Sequence, residues 1–157
     1  MGGETLATAL EREHRAIDGG IETFTAGLAD GKKDTEPLVQ AMDGLRRHIY
    51  LEEEFLFPPL RGAGLMIQIF AMLREHGDIW VTLDVLEASL AEDAAGPAVR
   101  TAYNSLLAQL KSHNAKEEPI IYPQADGALS PEAIAQLRES LGSGRMPQGW
   151  VCAKALP

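Results

Sequence analysis

The sequence predicts an all-α fold: an up-down-up-down antiparallel four-helix bundle with a short C-terminal helix and tail. Three observations predict it. Large apolar residues recur in steps of three and four through four long segments. Gly and Pro fall between the segments, in linkers short enough that successive helices should be antiparallel neighbours. No alternating β-branched run or Asn-Gly hairpin signal competes with that pattern.

Segment one runs from about Glu4 to Leu28, with Leu6, Leu10, Ile17, Ile21, Phe24 and Leu28 on one stripe and Gly31 as a C-terminal signal. Segment two starts with Thr35 as N-cap and Pro37 in the first turn. Its stripe is Leu38, Met42, Leu45, Ile49 and Phe55, and Pro58-Pro59 should end it. Segment three follows Gly64 and reaches about Glu92 through Ile69, Met72, Ile79, Leu83, Leu86 and Leu90. Segment four opens at Gly96-Pro97 and reads Val99, Tyr103, Leu106, Leu110 and Ile120, with Pro119 expected to kink or end it. Ser130 and Pro131 open a short fifth helix that Gly142 should stop. This divides the chain into a helical domain over residues 1–142 and a tail over 143–157. The tail is either loose or a strap packed through Trp150 and Val151.

At 157 residues the length fits one domain, and 45% apolar residues suffice for a core. A net charge of −9 argues against a nucleic-acid or anionic-membrane surface. The N-terminus lacks the basic start and apolar run of a secretory signal, and no apolar stretch reaches the roughly twenty residues of a membrane span. Cys152 is the single cysteine, so no intrachain disulfide forms. The expectation is a soluble cytoplasmic protein.

The four histidines fall one to each long segment. His14 sits between Leu10 and Ile17, His48 after Leu45, His76 between Met72 and Ile79, and His113 after Leu110. All four therefore lie on core-facing stripes. Glu52 follows His48 by four and Glu117 follows His113 by four, so both carboxylates share those faces. Counted from the loops at 1.5 Å per residue, the imidazoles should share one layer within about a turn.

The pattern is written twice. Arg12-Glu13-His14 with Ile17 recurs as Arg74-Glu75-His76 with Ile79. HIYLEEEFLFP, residues 48–58, recurs as HNAKEEPIIYP, residues 113–123. Two αα-hairpins related by a pseudo-twofold would each bring two His and one Glu to the centre. Four imidazoles and two carboxylates in a dry layer call for cations, because uncompensated they carry a large desolvation cost. Two metals, each with two imidazoles and with both carboxylates free to bridge, would satisfy every group. That set suits iron first, with manganese or zinc as alternatives. A single structural zinc would leave ligands over. The competing reading is a buried, mutually satisfied polar network without metal.

With these residues the chain resembles the hemerythrin-like, or HHE cation-binding, domain family over roughly residues 4–123. The resemblance rests on His14, His48-x3-Glu52, His76 and His113-x3-Glu117, with the LFP and IYP closures. It implies a four-helix bundle with a non-haem di-iron centre and an oxo or hydroxo bridge. His14 and His48 would hold one iron, His76 and His113 the other, with Glu52 and Glu117 bridging. Family members carry or sense oxygen, sense or store iron, respond to nitric oxide and peroxide, or repair iron-sulfur clusters. A small diatomic ligand or peroxide is thus the expected partner, and no protein partner is indicated.

The chain departs from oxygen-carrying hemerythrins at two places. Trp80 stands where they have a second third-helix His, and Glu117 lies four rather than five residues after the last His, replacing Asp. Both departures weigh against reversible oxygen carriage. Three functions follow: a di-iron module that binds or senses oxygen, nitric oxide, peroxide or iron; a di-iron enzyme with peroxidase, catalase-like or cluster-repair activity; or a metal-free interaction bundle. Glu53 and Glu118 read as outer partners or surface, Glu13 as a solvated charge, and Tyr50 as packing. Met42, Met66 and Met72 read as core filler, Phe57 and Tyr122 as helix-end anchors, and Cys152 as a solvent thiol.

Overall fold

The computed structural model describes residues 4–141 and 143–155. Helix α1 spans Leu6–Ala29, α2 Glu36–Leu51, α3 Phe57–Gly62, α4 Met66–Glu92, α5 Pro97–Lys116, α6 Ala125–Ala128 and α7 Pro131–Ser140. π-helical turns at Glu52–Leu56 and Glu117–Ile121 continue α2 and α5, and the second leads into a 3-10 turn at Tyr122–Gln124. No strand occurs among the described residues. The chain is all-helical. α1 packs along α2 and α4 along α5, and further contacts join α1 to α5 and α2 to α4; a four-helix bundle fits this arrangement.

Local signals set most boundaries. Thr5 caps α1, its side chain accepting from Thr8 N–H at 3.1 Å, and Asp126 accepts from Leu6 N–H at 3.1 Å. Gly31, at φ +78°, turns the chain out of α1 while Lys32 N–H reaches back to Gly27 at 2.8 Å. Ser130 caps α7, accepting from Ala133 N–H at 3.1 Å. Gly142, the expected stop of that helix, lies outside the described residues. Thr35 precedes α2 but makes no side-chain cap; instead Asp34 accepts from Glu36 N–H at 3.1 Å.

The two π turns correct the expected stripes. Pro58-Pro59 does not end segment two: Pro is tolerated in a first helical turn, and α3 restarts there and runs to Gly62. Pro119 lies inside the second π turn, whose wider ring disrupts the α ladder where the proline lacks an N–H. One extra residue per turn shifts the downstream register. Phe55 and Ile120, expected inside, are exposed, while Leu56, Phe57, Ile121 and Tyr122 are buried. Met66, expected in the core, is exposed at the start of α4; Met42 and Met72 are buried.

The apolar interior forms two clusters. One contains Ile17, Phe24, Leu45, Ile49, Ile79, Leu83, Leu106 and Leu110; the other contains Leu10, Leu56, Phe57, Met72, Ile121 and Leu137. On α1, α4 and α5 the buried histidine stands between residues of one cluster and residues of the other, and on α2 His48 and Glu52 flank the change of cluster from Ile49 to Leu51. Close approach of α1 and α2 rests on Gly20, where an added Cβ would fall 2.8 Å from both Ala41 Cβ and Pro37 O. Gly→Ala inside a helix ordinarily stabilises. Here Gly20→Ala should destabilise by about 1–3 kcal/mol, because two helices must part to admit it. Urea denaturation checks this, and a more stable variant would contradict the close packing.

Candidate metal centre

His14, His48, His76, His113, Glu52 and Glu117 are each at most 4% exposed. They form two groups: His14, His48, Glu52 and Glu117, and then Glu52, His76, His113 and Glu117, the ligand atoms of each group lying within 4.8 Å of one another. Both carboxylates belong to both groups. The sequence-derived set is thus brought together entire, with ring centroids 4.7 Å apart for His14–His48 and 5.0 Å for His76–His113.

Every imidazole turns Nε2 inward and Nδ1 toward an outer carboxylate. His14 Nδ1 meets Glu118 and His76 Nδ1 meets Glu53, both at 2.8 Å, crossing from one hairpin to the other. His48 Nδ1 meets Glu13 at 3.1 Å and His113 Nδ1 meets Glu75 at 2.8 Å, each within its own hairpin. Lys116 in turn pairs with Glu75. The second Glu of each Glu-Glu pair and the Glu of each Arg-Glu-His therefore act alike, fixing ring orientation and tautomer. Glu13 is a partner of His48 rather than a solvated charge. The doubled Arg-Glu-His already signals this in the sequence, but only the fold shows which histidine each glutamate reaches.

Tyr122 also corrects the sequence reading. At about 100° per residue, a position nine after His113 would face away from it by about 180°. The π turn removes roughly one residue of rotation and swings Tyr122 inward. Its hydroxyl lies 2.6 Å from Glu52, 2.9 Å from Glu117, 2.9 Å from His14 Nε2 and 3.0 Å from His48 Nε2. The equivalent residue of the first repeat is Phe57, stacked on His76 at 5.4 Å and 19°. One half of the centre thus has a hydroxyl where the other has a ring face.

The consequence appears in the carboxylates. Glu52 Oε1 and Glu117 Oε2 are buried without a hydrogen-bond partner, facing His76 Nε2 at 3.1 Å and His113 Nε2 at 3.3 Å. Those contacts are ion-pair close but poorly aligned as hydrogen bonds. Orphaned carboxylate oxygens beside two inward imidazole nitrogens fit a cation. A metal cofactor suits this donor set, and mixed imidazole and carboxylate ligation favours iron.

The charges are those of a layer balanced by protons. Burial opposes charge on His113, but the charge of Glu117 beside it and the hydrogen bond with Glu75 push it up to about 10. Burial likewise opposes charge on His48 and His76, yet their glutamate partners raise both. Burial acts against the Glu117 charge, but His113 and His14 hold that carboxyl well below its usual range. Burial, then the charges of Glu117 and Glu52, keeps the Tyr122 phenol protonated. Metal uptake must displace imidazole protons.

Trp80 does not line the centre. It is buried against Trp150, ring centroids 5.5 Å apart, under the Arg46 guanidinium at 4.7 Å. A cavity of about 10 Å³ adjoins the four imidazoles and is walled by Leu45, Ile49, Ile79 and Leu110. Cys152, expected in solvent, is 2% exposed, and burial first, then the charge of Glu53, pushes its thiol up to about 12.

Glu13→Gln and Glu118→Gln should each weaken metal binding about 10–100-fold, since each leaves an inward-facing imidazole without its carboxylate. Chelator competition measures this; wild-type affinity in both would remove any role for the outer carboxylates in holding metal. Tyr122→Phe should cost the metal-free protein about 1–3 kcal/mol by unpairing buried carboxylate oxygen. An unchanged urea midpoint would contradict the hydroxyl's place.

The chain was compared with known proteins. The family model described as hemerythrin HHE cation binding domain matches residues 5–125. The iron-sulfur cluster repair protein YtfE of Yersinia pseudotuberculosis serotype O:1b (strain IP 31758) is 30% identical over 131 residues, covering 76% of this chain and 54% of that protein. YtfE of Yersinia pestis (strain Pestoides F) matches with the same identity and coverage. The chain spans about half the length of these curated relatives. No solved structure matches. Family match and side-chain cluster agree with the resemblance read from His14, His48-x3-Glu52, His76 and His113-x3-Glu117: the chain belongs to the hemerythrin HHE cation-binding domain family.

Proposed function

We propose that this chain is a non-haem di-iron module in an up-down-up-down four-helix bundle over residues 1–142, with residues 143–157 appended. His14 and His48 would hold one iron and His76 and His113 the other, with Glu52 and Glu117 bridging beside an oxo or hydroxo group. The observation that carries this is the pair of four-ligand groups sharing both carboxylates. A lone metal would leave two imidazoles without purpose. Two irons would supply redox equivalents and Lewis acidity at the centre.

The protein's own groups then set what the centre admits. A cavity of about 10 Å³, about the volume that holds one water, beside the apolar residues Leu45, Ile49, Ile79 and Leu110 supports a ligand of very few atoms. Among the described residues no helix is long and apolar enough to cross a membrane. Binding or sensing oxygen, nitric oxide, peroxide or iron is the reading that this enclosure supports best. The second reading, iron-sulfur cluster repair or peroxide turnover, is favoured by one observation: the relatives are named as cluster repair proteins.

Peroxide separates the two. A binding or sensing module consumes hydrogen peroxide in proportion to protein, while an enzyme consumes many equivalents; stopped-flow absorbance with excess peroxide reads the ratio. Stoichiometric consumption is expected, and sustained turnover would overturn the binding reading in favour of the enzyme. His48→Ala and Glu117→Ala should each lower metal content and melting temperature, because bound metal stabilises only the folded state. Full metal stoichiometry in both variants would sink the ligand assignment.

A further inference from the structure

Among the described residues, the C-terminal segment crosses back over one half of the centre. Gly149, at φ +81°, turns the chain so that Trp150 packs against Tyr50 at 5.2 Å and Trp80 at 5.5 Å. Trp150 Nε1 donates to Glu54 at 2.9 Å. Cys152 is buried next, and Ala153 N–H donates to Glu53 Oε1 at 2.9 Å. The other oxygen of that carboxylate, Oε2, is the one that meets His76 Nδ1 at 2.8 Å. One carboxylate therefore links strap backbone to inner imidazole.

The rest of the fold makes room for this contact. Gly77, directly after His76, lies under the strap: an added Cβ would fall 2.7 Å from the Lys154 carbonyl carbon and 2.9 Å from its Cβ. Glycine in the middle of a 27-residue helix costs roughly 0.5–1 kcal/mol relative to alanine, and the close approach of the strap explains its place. Among the described residues the second repeat has no such arrangement. Its Glu118 is followed by Pro119, which cannot reproduce the Glu54 acceptor. The two halves differ on the outside, as Tyr122 and Phe57 make them differ inside.

We propose that the strap is a positioning element for one metal position: Ala153 N–H holds Glu53 on His76 Nδ1, and so slows loss of metal from the His76–His113 half. This rests on the di-iron reading above. The backbone donor fixes the carboxylate, and the carboxylate fixes the imidazole's orientation. Trp150 and the buried Cys152 keep water from competing for Glu53. Among the described residues the His14–His48 half has no strap contact through Glu118, so its release should be indifferent to the strap.

Two readouts test this. Alkylation of Cys152 reports strap opening with or without metal. Metal transfer to a chelator from the loaded full chain reports the centre. Ala153→Pro deletes the donor without touching a helix. It should speed Cys152 alkylation at least about tenfold, the equivalent of one hydrogen bond to a charged group. It should also speed release of one of two metals about tenfold or more. Gly77→Ala, a favourable change for an isolated helix, should do the same by pushing the strap off. Ala153→Gly keeps the N–H and should stay near wild type in both readouts. The proposal fails if Cys152 is as protected in Ala153→Pro and Gly77→Ala as in wild type. It also fails if Cys152 opens while both metals leave at the wild-type rate, or if Ala153→Gly behaves like Ala153→Pro. A wild-type chain that takes up no metal would instead overturn the di-iron reading, visible before any variant is compared.

Discussion

Six ionisable side chains occupy a buried layer between two apolar clusters, and each must be compensated by its neighbours. Isolated charges there would cost several kcal/mol apiece. The sequence answers by stacking partners in two shells. Inner nitrogen faces inner carboxylate, and each outer nitrogen faces Glu13, Glu53, Glu75 or Glu118. The outer carboxylates bind helix to helix: Glu13 and Glu75 hold each hairpin together, while Glu53 and Glu118 tie the hairpins to one another. The same bonds that prepare a cation site therefore contribute to the fold.

Doubling explains the economy of the sequence, and departures from doubling explain its chemistry. Arg-Glu-His and His-x-x-x-Glu-Glu recur in register, so one hairpin's solution serves the other. Symmetry is broken where Tyr122 replaces Phe57, and again where Pro119 replaces Glu54. The first change puts a protonated hydroxyl against His14 and His48 and leaves orphaned carboxylate oxygens only opposite His76 and His113. The second gives the strap a grip on one π turn. Two side-chain groups built from the same residue types thus differ in their surroundings.

Much of this is legible in the sequence, because helix period and i,i+4 spacing are local rules. They place His14, His48, Glu52, His76, His113 and Glu117 on inward faces, and the structure brings those faces together. What local rules miss is a change of period. A constant 100° step assigns Phe55 and Ile120 inward and Tyr122 to a helix end, whereas each π turn rotates the next residues by one place. The strap escapes local rules for a different reason. Gly/Pro-rich sequence carries no periodic signal, and Cys152 becomes buried only through long-range contacts with the bundle. Glu13 reads as surface on its own helix; its partner His48 belongs to the next.

Whether this layer serves two metals or stands as a self-contained polar network turns on stoichiometry. Iron content per chain, measured after ferrous reconstitution and subsequent exposure to air, alongside the ultraviolet-visible spectrum of the same sample, tests it most directly. The di-iron proposal predicts about two irons per chain, two being the number of four-ligand groups that share Glu52 and Glu117, with the charge-transfer absorption of an oxo-bridged pair. Less than one metal per chain would contradict it and leave the His-x-x-x-Glu-Glu repeat as a proton-balanced network.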